Sequence, residues 1–395
     1  MKITMVDLHG QYERIREEIN NAIQEVLDTT AFINGPQVKA FVQHLAEYNQ
    51  VEHVVPCANG TDALQIALMA LGLQPGDEVI VPVHTYVATA EVIALLRLEP
   101  IFVDCVADRF TIDVTKIEEK ITPRTKVIVP VHLYGQCADM EPLMDIARRH
   151  KLYVVEDTAQ AIGATYTFSN GLQQKAGCIG DIGTTSFFPS KNLGCYGDGG
   201  ALFIRDHELA ERARMIANHG QKIKYHHSVV GCNSRLDTMQ AAILDVKLKY
   251  LDEYSAARNQ AAEHYDKGLA TVKGIILPQR AANSTHVFHQ YTIRVENHLR
   301  DELKSFLAEH DVPSMIYYPI PLHLQEAYAK KGQGQGTFPV AEQLSEEVLS
   351  LPMHTEMKAE ECEKDSDHHL LLATFRRTGS STLAEVLEVP SGIWL

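Results

Sequence analysis

An α/β fold around a largely parallel, buried sheet is predicted by two features: from about residue 50, short β-branched runs alternate with longer helical patterns, and the runs are compact and apolar. Ahead of them, residues 11–28 carry Ile15, Ile19, Ile23 and Val26 at the spacing of an amphipathic helix. The turn Asn34-Gly35-Pro36 and a second helix at 37–48 follow. The strand candidates are HVVPC (53–57), EVIVP (78–82), PIFVD (100–104), KVIVPV (126–131), YVVED (153–157), TTSFF (184–188) and ALFI (201–204), with helical spacing at 61–72, 87–97, 140–150 and 207–217. After Asp237 the pattern changes. Residues 238–269 read as one long helix, and Gly274 opens a region of short strands, such as QYTIRV (290–295), and helices. Two domains are expected: a large one at 1–250 and a smaller α+β one at 251–395.

Of 395 residues, 36 are Lys or Arg and 51 Asp or Glu, a formal charge of −15. Such a surface repels a phosphate backbone, so nucleic acid is excluded, small molecules are the favoured partners, and a phosphorylated ligand must be met by a local site. The seven cysteines are scattered, odd in number and without a CxxC pair, which signals neither a disulfide framework nor a zinc site. The N-terminus lacks an apolar signal core, and no stretch approaches the roughly 18 apolar residues of a membrane span. A soluble, cytoplasmic protein with no membrane association is expected.

Three segments carry chemistry. Cys57-Ala58-Asn59-Gly60-Thr61-Asp62 ends a buried strand and opens a helix, whose free backbone N–H groups suit a phosphate; an ordinary cap by Asn59 or Thr61 explains the same residues, and Asp62 opposes an anion unless its side chain points away. Val154-Val155-Glu156-Asp157 ends an apolar strand in two acids at the carboxyl edge, where open α/β sheets bind ligands. A buried Asp157 needs a cationic or hydrogen-bonding partner such as a protonated pyridine nitrogen, whereas a solvated strand-end acid needs none. Lys191 lies among aromatic and small residues, with no acid until Asp198 and a Gly-rich run after it. Desolvation there lowers an amine's pKa, and a neutral amine attacks an aldehyde; a lone loop lysine is otherwise a surface charge.

In order, GTDAL (60–64), TYVATAE (85–91), EDTAQ (156–160), SFFPSKNLGCYGDGGA (186–201), NHGQ (218–221) and NSRLDTMQAAIL (233–244) resemble the DegT/DnrJ/EryC1/StrS family of nucleotide-sugar aminotransferases. The similarity spans roughly residues 5–355 and is greatest to the UDP-2-acetamido-2-deoxy-3-oxo-glucuronate aminotransferases of bacterial surface-polysaccharide synthesis. It implies an aspartate-aminotransferase-like fold (fold type I), the cofactor pyridoxal 5′-phosphate (PLP), alternating with its pyridoxamine form (PMP), and L-glutamate and a keto nucleotide sugar as substrates. It further implies a homodimer with shared sites. By position, Lys191 matches the cofactor-bearing lysine and Asp157 the partner of the pyridine nitrogen. Gln160 matches the partner of the phenolic oxygen and Tyr86 the ring that stacks on the cofactor. Gly60, Thr61 and Ser186 match the phosphate site, joined by Asn233 from the neighbouring subunit. The family's sugar dehydratases carry histidine where this chain has Lys191, which sets them aside. A non-catalytic sensor on the same fold would have little need of Asp157, Gln160, Ser186 and Lys191 together.

On the substrate side, His219, Lys222, Lys224, His226 and His227 form a cationic island leading to Arg235, which is expected to bind a diphosphate or sugar carboxylate; a solvated loop is the plain alternative for the two lysines. His226-His227 has no third ligand at metal spacing. Tyr317, Tyr318 and His323 match the family's sugar-site loop, with Tyr317 replacing a histidine common in relatives that act on uronic acids. The sugar, the base and amination at C3 or C4 stay open, with a dTDP sugar as the alternative. The tail at about 358–395 matches no family pattern.

Overall fold

The computed structural model describes residues 3–330 and 332–358. The chain order is α1 (Leu8–Arg14), α2 (Arg16–Thr29), α3 (Pro36–Asn49), β1 (His53–Cys57), α4 (Gly60–Ala70), β2 (Glu78–Pro82), α5 (Ala88–Leu95), β3 (Glu99–Val103), β4 (Thr125–Ile128), α6 (Met140–His150) and β5 (Tyr153–Asp157). There follow the hairpin β6 (Thr165–Thr167) and β7 (Gln173–Lys175), then β8 (Ile182–Ser186), β9 (Gly200–Ile204), α7 (His207–Ala217), and a second hairpin, β10 (Gln221–Ile223) and β11 (His226–His227). The remainder is α8 (Thr238–Leu248), α9 (Leu251–Leu269), β12 (Ile275–Ile276), β13 (Tyr291–Val295), α10 (Arg300–Glu309), α11 (Pro339–Glu347) and β14 (Val348–Leu351).

Seven strands form the central sheet in the order β1-β9-β8-β5-β4-β2-β3. Pairings from β3 to β8 are parallel, while β9 runs antiparallel to both β8 and β1. The sheet is buried on both faces, as parallel strands require, and the strand alternation shows it. Val79, Val81 and Val155 face the cluster built with α4, α5 and α7, whereas Ile80 and Val154 face the one built with α6. A separate three-stranded antiparallel sheet, β12-β13-β14, packs on α9 and α10 through Tyr265, Leu269, Leu303 and Leu307.

Two expected helices are each divided. The one at 11–28 breaks at Ile15 (φ −121°), so that α1, capped by Asp7 through Gly10 N–H at 2.8 Å, leaves α2 to lay Ile15 and Ile19 on Ile243 and Val246 of α8. The stretch at 238–269 breaks at Lys249–Tyr250, a turn between α8 and α9 that periodicity alone does not register. The sequence reading also left out the two hairpins and β14; the first turns on Asn170-Gly171, a strong hairpin signal. The tail expected to be atypical lies, beyond Lys358, outside the described residues.

Candidate active site

The carboxyl ends of β1, β5 and β8 and the start of β9 meet at one edge of the sheet, since Cys57 and Ser186 both pair with Gly200. Asp157 closes β5 there and is buried; its Oδ2 accepts from Thr89 Oγ1 at 2.9 Å and its Oδ1 from Ala159 N–H at 3.1 Å. Strand alternation sends the preceding acid to the other face. Glu156, fully buried, accepts from the N–H groups of Gly177, Ile179 and Gly180 at 2.7–2.9 Å and pairs with His132 Nε2 at 2.9 Å. One acid therefore braces the fold and the other faces the site.

Lys191 follows β8 in a loop that is tied down on both sides. Its N–H donates to Phe188 O at 2.8 Å, Asn192 Nδ2 donates to Val287 O at 2.9 Å, and the buried Lys247 ammonium donates to Gly194 O. Burial pushes the Lys191 amine down to about 8, against the opposing pull of the Asp157 charge. Beside it is His289, which is buried and whose Nδ1 meets Asn192 Oδ1 at 3.2 Å; burial and the Lys191 and Arg258 charges hold it well below the usual histidine range, so it adds no cation.

At the start of α4 the Asn59 side chain caps Asp62 N–H at 2.8 Å. The Asp62 carboxylate accepts from Ser234 Oγ at 2.6 Å, so its side chain is turned toward Ser234. Gly60 packs so close to Ser186 that an added Cβ would lie 2.6 Å from the Ser186 Cβ. Gly60, Thr61 and Ser186 thus border a cradle of backbone N–H groups at a helix N-terminus, suited to a phosphate. That cradle, the buried Asp157 carboxylate and the half-buried Lys191 amine fit a phosphorylated pyridine aldehyde.

Residues 13–364 match the DegT/DnrJ/EryC1/StrS aminotransferase family. The chain belongs to this family. It is a PLP-dependent aminotransferase of nucleotide sugars, on the fold of the DegT-family enzymes. The pleiotropic regulatory protein of Geobacillus stearothermophilus is 48% identical over 91% of this chain and 96% of its own length. The UDP-2-acetamido-2-deoxy-3-oxo-D-glucuronate aminotransferase of Pseudomonas aeruginosa is 46% identical over 89% and 95%. The crystal structure of DesV from S. venezuelae superposes with a TM-score of 0.89 at 42% identity, covering 94% of this chain and 98% of that one. Bound PLP supplies an aldehyde that takes up amino groups and a protonated ring that draws electrons from the bond broken at the substrate carbon.

Around the DegT-family core the other expected residues divide. Gln160 is buried, accepting from Tyr134 N–H at 2.7 Å and donating to Tyr318 OH at 3.2 Å. Tyr86 is 56% exposed at the rim, its ring 5.9 Å from that of Tyr318. Tyr317 and Tyr318 are half-buried, and burial raises both phenols above the usual tyrosine range. Asn233 is exposed and Arg235 half-buried, flanking the Ser234 that meets the cradle. His323 departs from expectation. Its side chain is wholly buried, paired with Glu342 Oε1 at 3.0 Å and packed on Phe338 with ring centroids 4.8 Å apart, so it braces the loop from behind. The sequence reading missed Thr89, Asn192, His289 and Tyr134. A hydroxyl in the apolar helix ATAEVIAL and an amide beside the lysine were signals for the first two; nothing in spacing marked the others.

Proposed function

We propose that this enzyme moves the amino group of L-glutamate to the keto carbon at C3 of a UDP-linked sugar or sugar acid, for surface-polysaccharide or amino-sugar synthesis in the cytoplasm. The observation that carries the reading is the 46% identity, over 89% of the chain, with an enzyme named for a UDP-linked 3-oxo sugar. In this reading Asp157, held by Thr89, keeps the pyridine nitrogen protonated, and Gly60, Thr61 and Ser186 bind the phosphate. Gln160 binds the phenolic oxygen and Tyr86 covers the ring. Lys191 Nζ holds the cofactor at rest and, once freed by substrate, carries the proton away from the substrate carbon, a task that suits an amine with a pKa of about 8. Arg235, with Lys222 and Lys224, receives the anionic end of the sugar nucleotide, and Tyr317 and Tyr318 border the sugar.

The homodimer belongs to the same reading. Asn233 is exposed beside its own cradle, which supports a role at a second copy's site. Free cysteines among the described residues are compatible with a reducing compartment, and no helix among those residues is long and apolar enough to cross a membrane. The test is mass spectrometry of products from glutamate and a panel of UDP- and dTDP-linked 3-oxo and 4-oxo sugars. Amination of a UDP-linked 3-oxo sugar is expected. Turnover of dTDP or 4-oxo sugars alone would move the assignment to another branch of the family, and a monomer holding cofactor at full occupancy would refute the shared site.

A further inference from the structure

Tyr134 has no part in the roles above, yet it touches both halves of the site. It lies in the turn after β4, is 2% exposed, and has φ 60° and ψ −5°, the left-handed region a bulky residue occupies only when its surroundings force it there. The surroundings are visible. On one side Ala138 N–H donates to His132 Nδ1 at 3.0 Å, so the His132 Nε2–H donates to the buried Glu156. On the other, Gly135 (φ 122°) runs so close to the next segment that a Cβ would lie 2.9 Å from the backbone nitrogens of Phe288 and His289.

From this fixed turn Tyr134 reaches in two directions. Its backbone N–H holds Gln160 Oε1, which orients the amide so that Nε2 donates to the Tyr318 hydroxyl. Its phenolic O–H donates to the Tyr317 carbonyl, while the phenolic oxygen is met by His84 Nε2 at 3.2 Å. The ring packs edge-on against Phe110 at 5.0 Å, in an apolar cluster that also takes in Tyr317 and Tyr318. Tyr134, Gln160, Tyr318 and Tyr317 thereby close a circuit.

We propose that Tyr134 is a positioning residue that couples the Gln160 amide to the 317–318 loop, so that the cofactor side and the sugar side of the site are set by one residue. This rests on the roles given above to Gln160 and Tyr318. Tyr134→Phe keeps the ring, the packing and the backbone bond to Gln160 and deletes only the phenol's two contacts, to the loop carbonyl and to His84, so a mere packing role would leave it silent.

The test is hydrogen exchange by mass spectrometry on the full chain, with and without cofactor, beside steady-state kinetics. In Tyr134→Phe the segment 315–322 should exchange about five- to tenfold faster, the net worth of one hydrogen bond, while β5 and β8 exchange as before. KM for the keto sugar nucleotide should rise by a similar factor, with the glutamate half-reaction within about twofold. His84→Asn, which removes the contact behind the phenol, should give a smaller shift in the same segment and serves if Tyr134→Phe does not fold. Unchanged exchange of 315–322 in the folded variant overturns the proposal. Faster exchange in a protein whose parent turns over no keto sugar would uphold the clamp and refute the substrate reading.

Discussion

The edge of the central sheet and the exposed loops of the chain are built to different standards. At the edge, Asp157 and Ser186 each end a strand whose interior is buried, and Lys191 follows the second of them in a turn closed by its own N–H bond to Phe188 O at 2.8 Å. By contrast, Ile223, Tyr225 and Val230 of the second hairpin segment are 67%, 79% and 85% exposed, and Tyr86 stands half in solvent. In the proposed reading, rigid scaffolding fixes the groups that every aminotransfer needs, while choice of substrate is mounted on surface segments that tolerate change. The contrast predicts where substitutions hurt most.

The largest effect belongs to Lys191. Lys191→Ala should abolish turnover, by at least about a thousandfold, because the proton-carrying amine is gone, and borohydride should no longer fix vitamin B6 to the chain. The pH dependence has a definite sign. Burial disfavours the ammonium, so the neutral amine grows in through about pH 8 where an ordinary lysine would do so near 10.5. Between those values the unfolded chain binds the proton and the folded one does not, so the burial penalty on stability is full below about pH 8 and is relieved as pH rises toward 10.5. Cofactor capture by the apoprotein, followed by absorbance, should accelerate through pH 8; a rise delayed beyond pH 10 would mean an amine as solvated as those of the loops.

Thr89→Val should come next. It deletes the 2.9 Å bond to Asp157 Oδ2 without changing side-chain shape much, and a hydrogen bond to a charged group is worth about 1.5–3 kcal/mol. A fall of about tenfold in kcat, equal for both half-reactions, is expected because Asp157 serves both. A loss confined to the sugar half-reaction would break the division between edge and loops.

The same division governs how much the sequence discloses. Strands at 53–57, 78–82 and 153–157 are legible to the residue because burial on both faces demands unbroken apolar runs, and the acids ending the last of them mark the edge. Lys191 and Gly60 are legible for a related reason: the chain around each must be small, aromatic or glycine to pack there. Tyr134 and His289 are not, since their roles depend on how the turn after β4 meets a segment some 150 residues later, a pairing no local pattern encodes. His323 shows the converse. A motif placed it at the sugar, but its partner Glu342, 19 residues on, draws it into the interior.

The smallest effects should fall on the cationic island, and they sharpen the comparison by grading it. Lys222 and Lys224 are exposed on the hairpin, where charges attract an anionic ligand at long range and are screened within about 8–10 Å by physiological salt. Their joint replacement by Ala should raise KM for the nucleotide sugar no more than about threefold at low salt and not at all at high salt, the mark of a rim charge. Arg235 is half-buried between Ser234, which is tied to the cradle, and Asp237, which precedes α8. In the proposed reading its guanidinium meets a carboxylate or phosphate bidentately, and Arg235→Ala should raise KM about tenfold with a weaker salt dependence. Unchanged KM for both substrates in Arg235→Ala would remove it from the site. A larger, salt-sensitive loss from the lysines would show instead that an exposed loop binds the substrate as firmly as the sheet edge holds the cofactor.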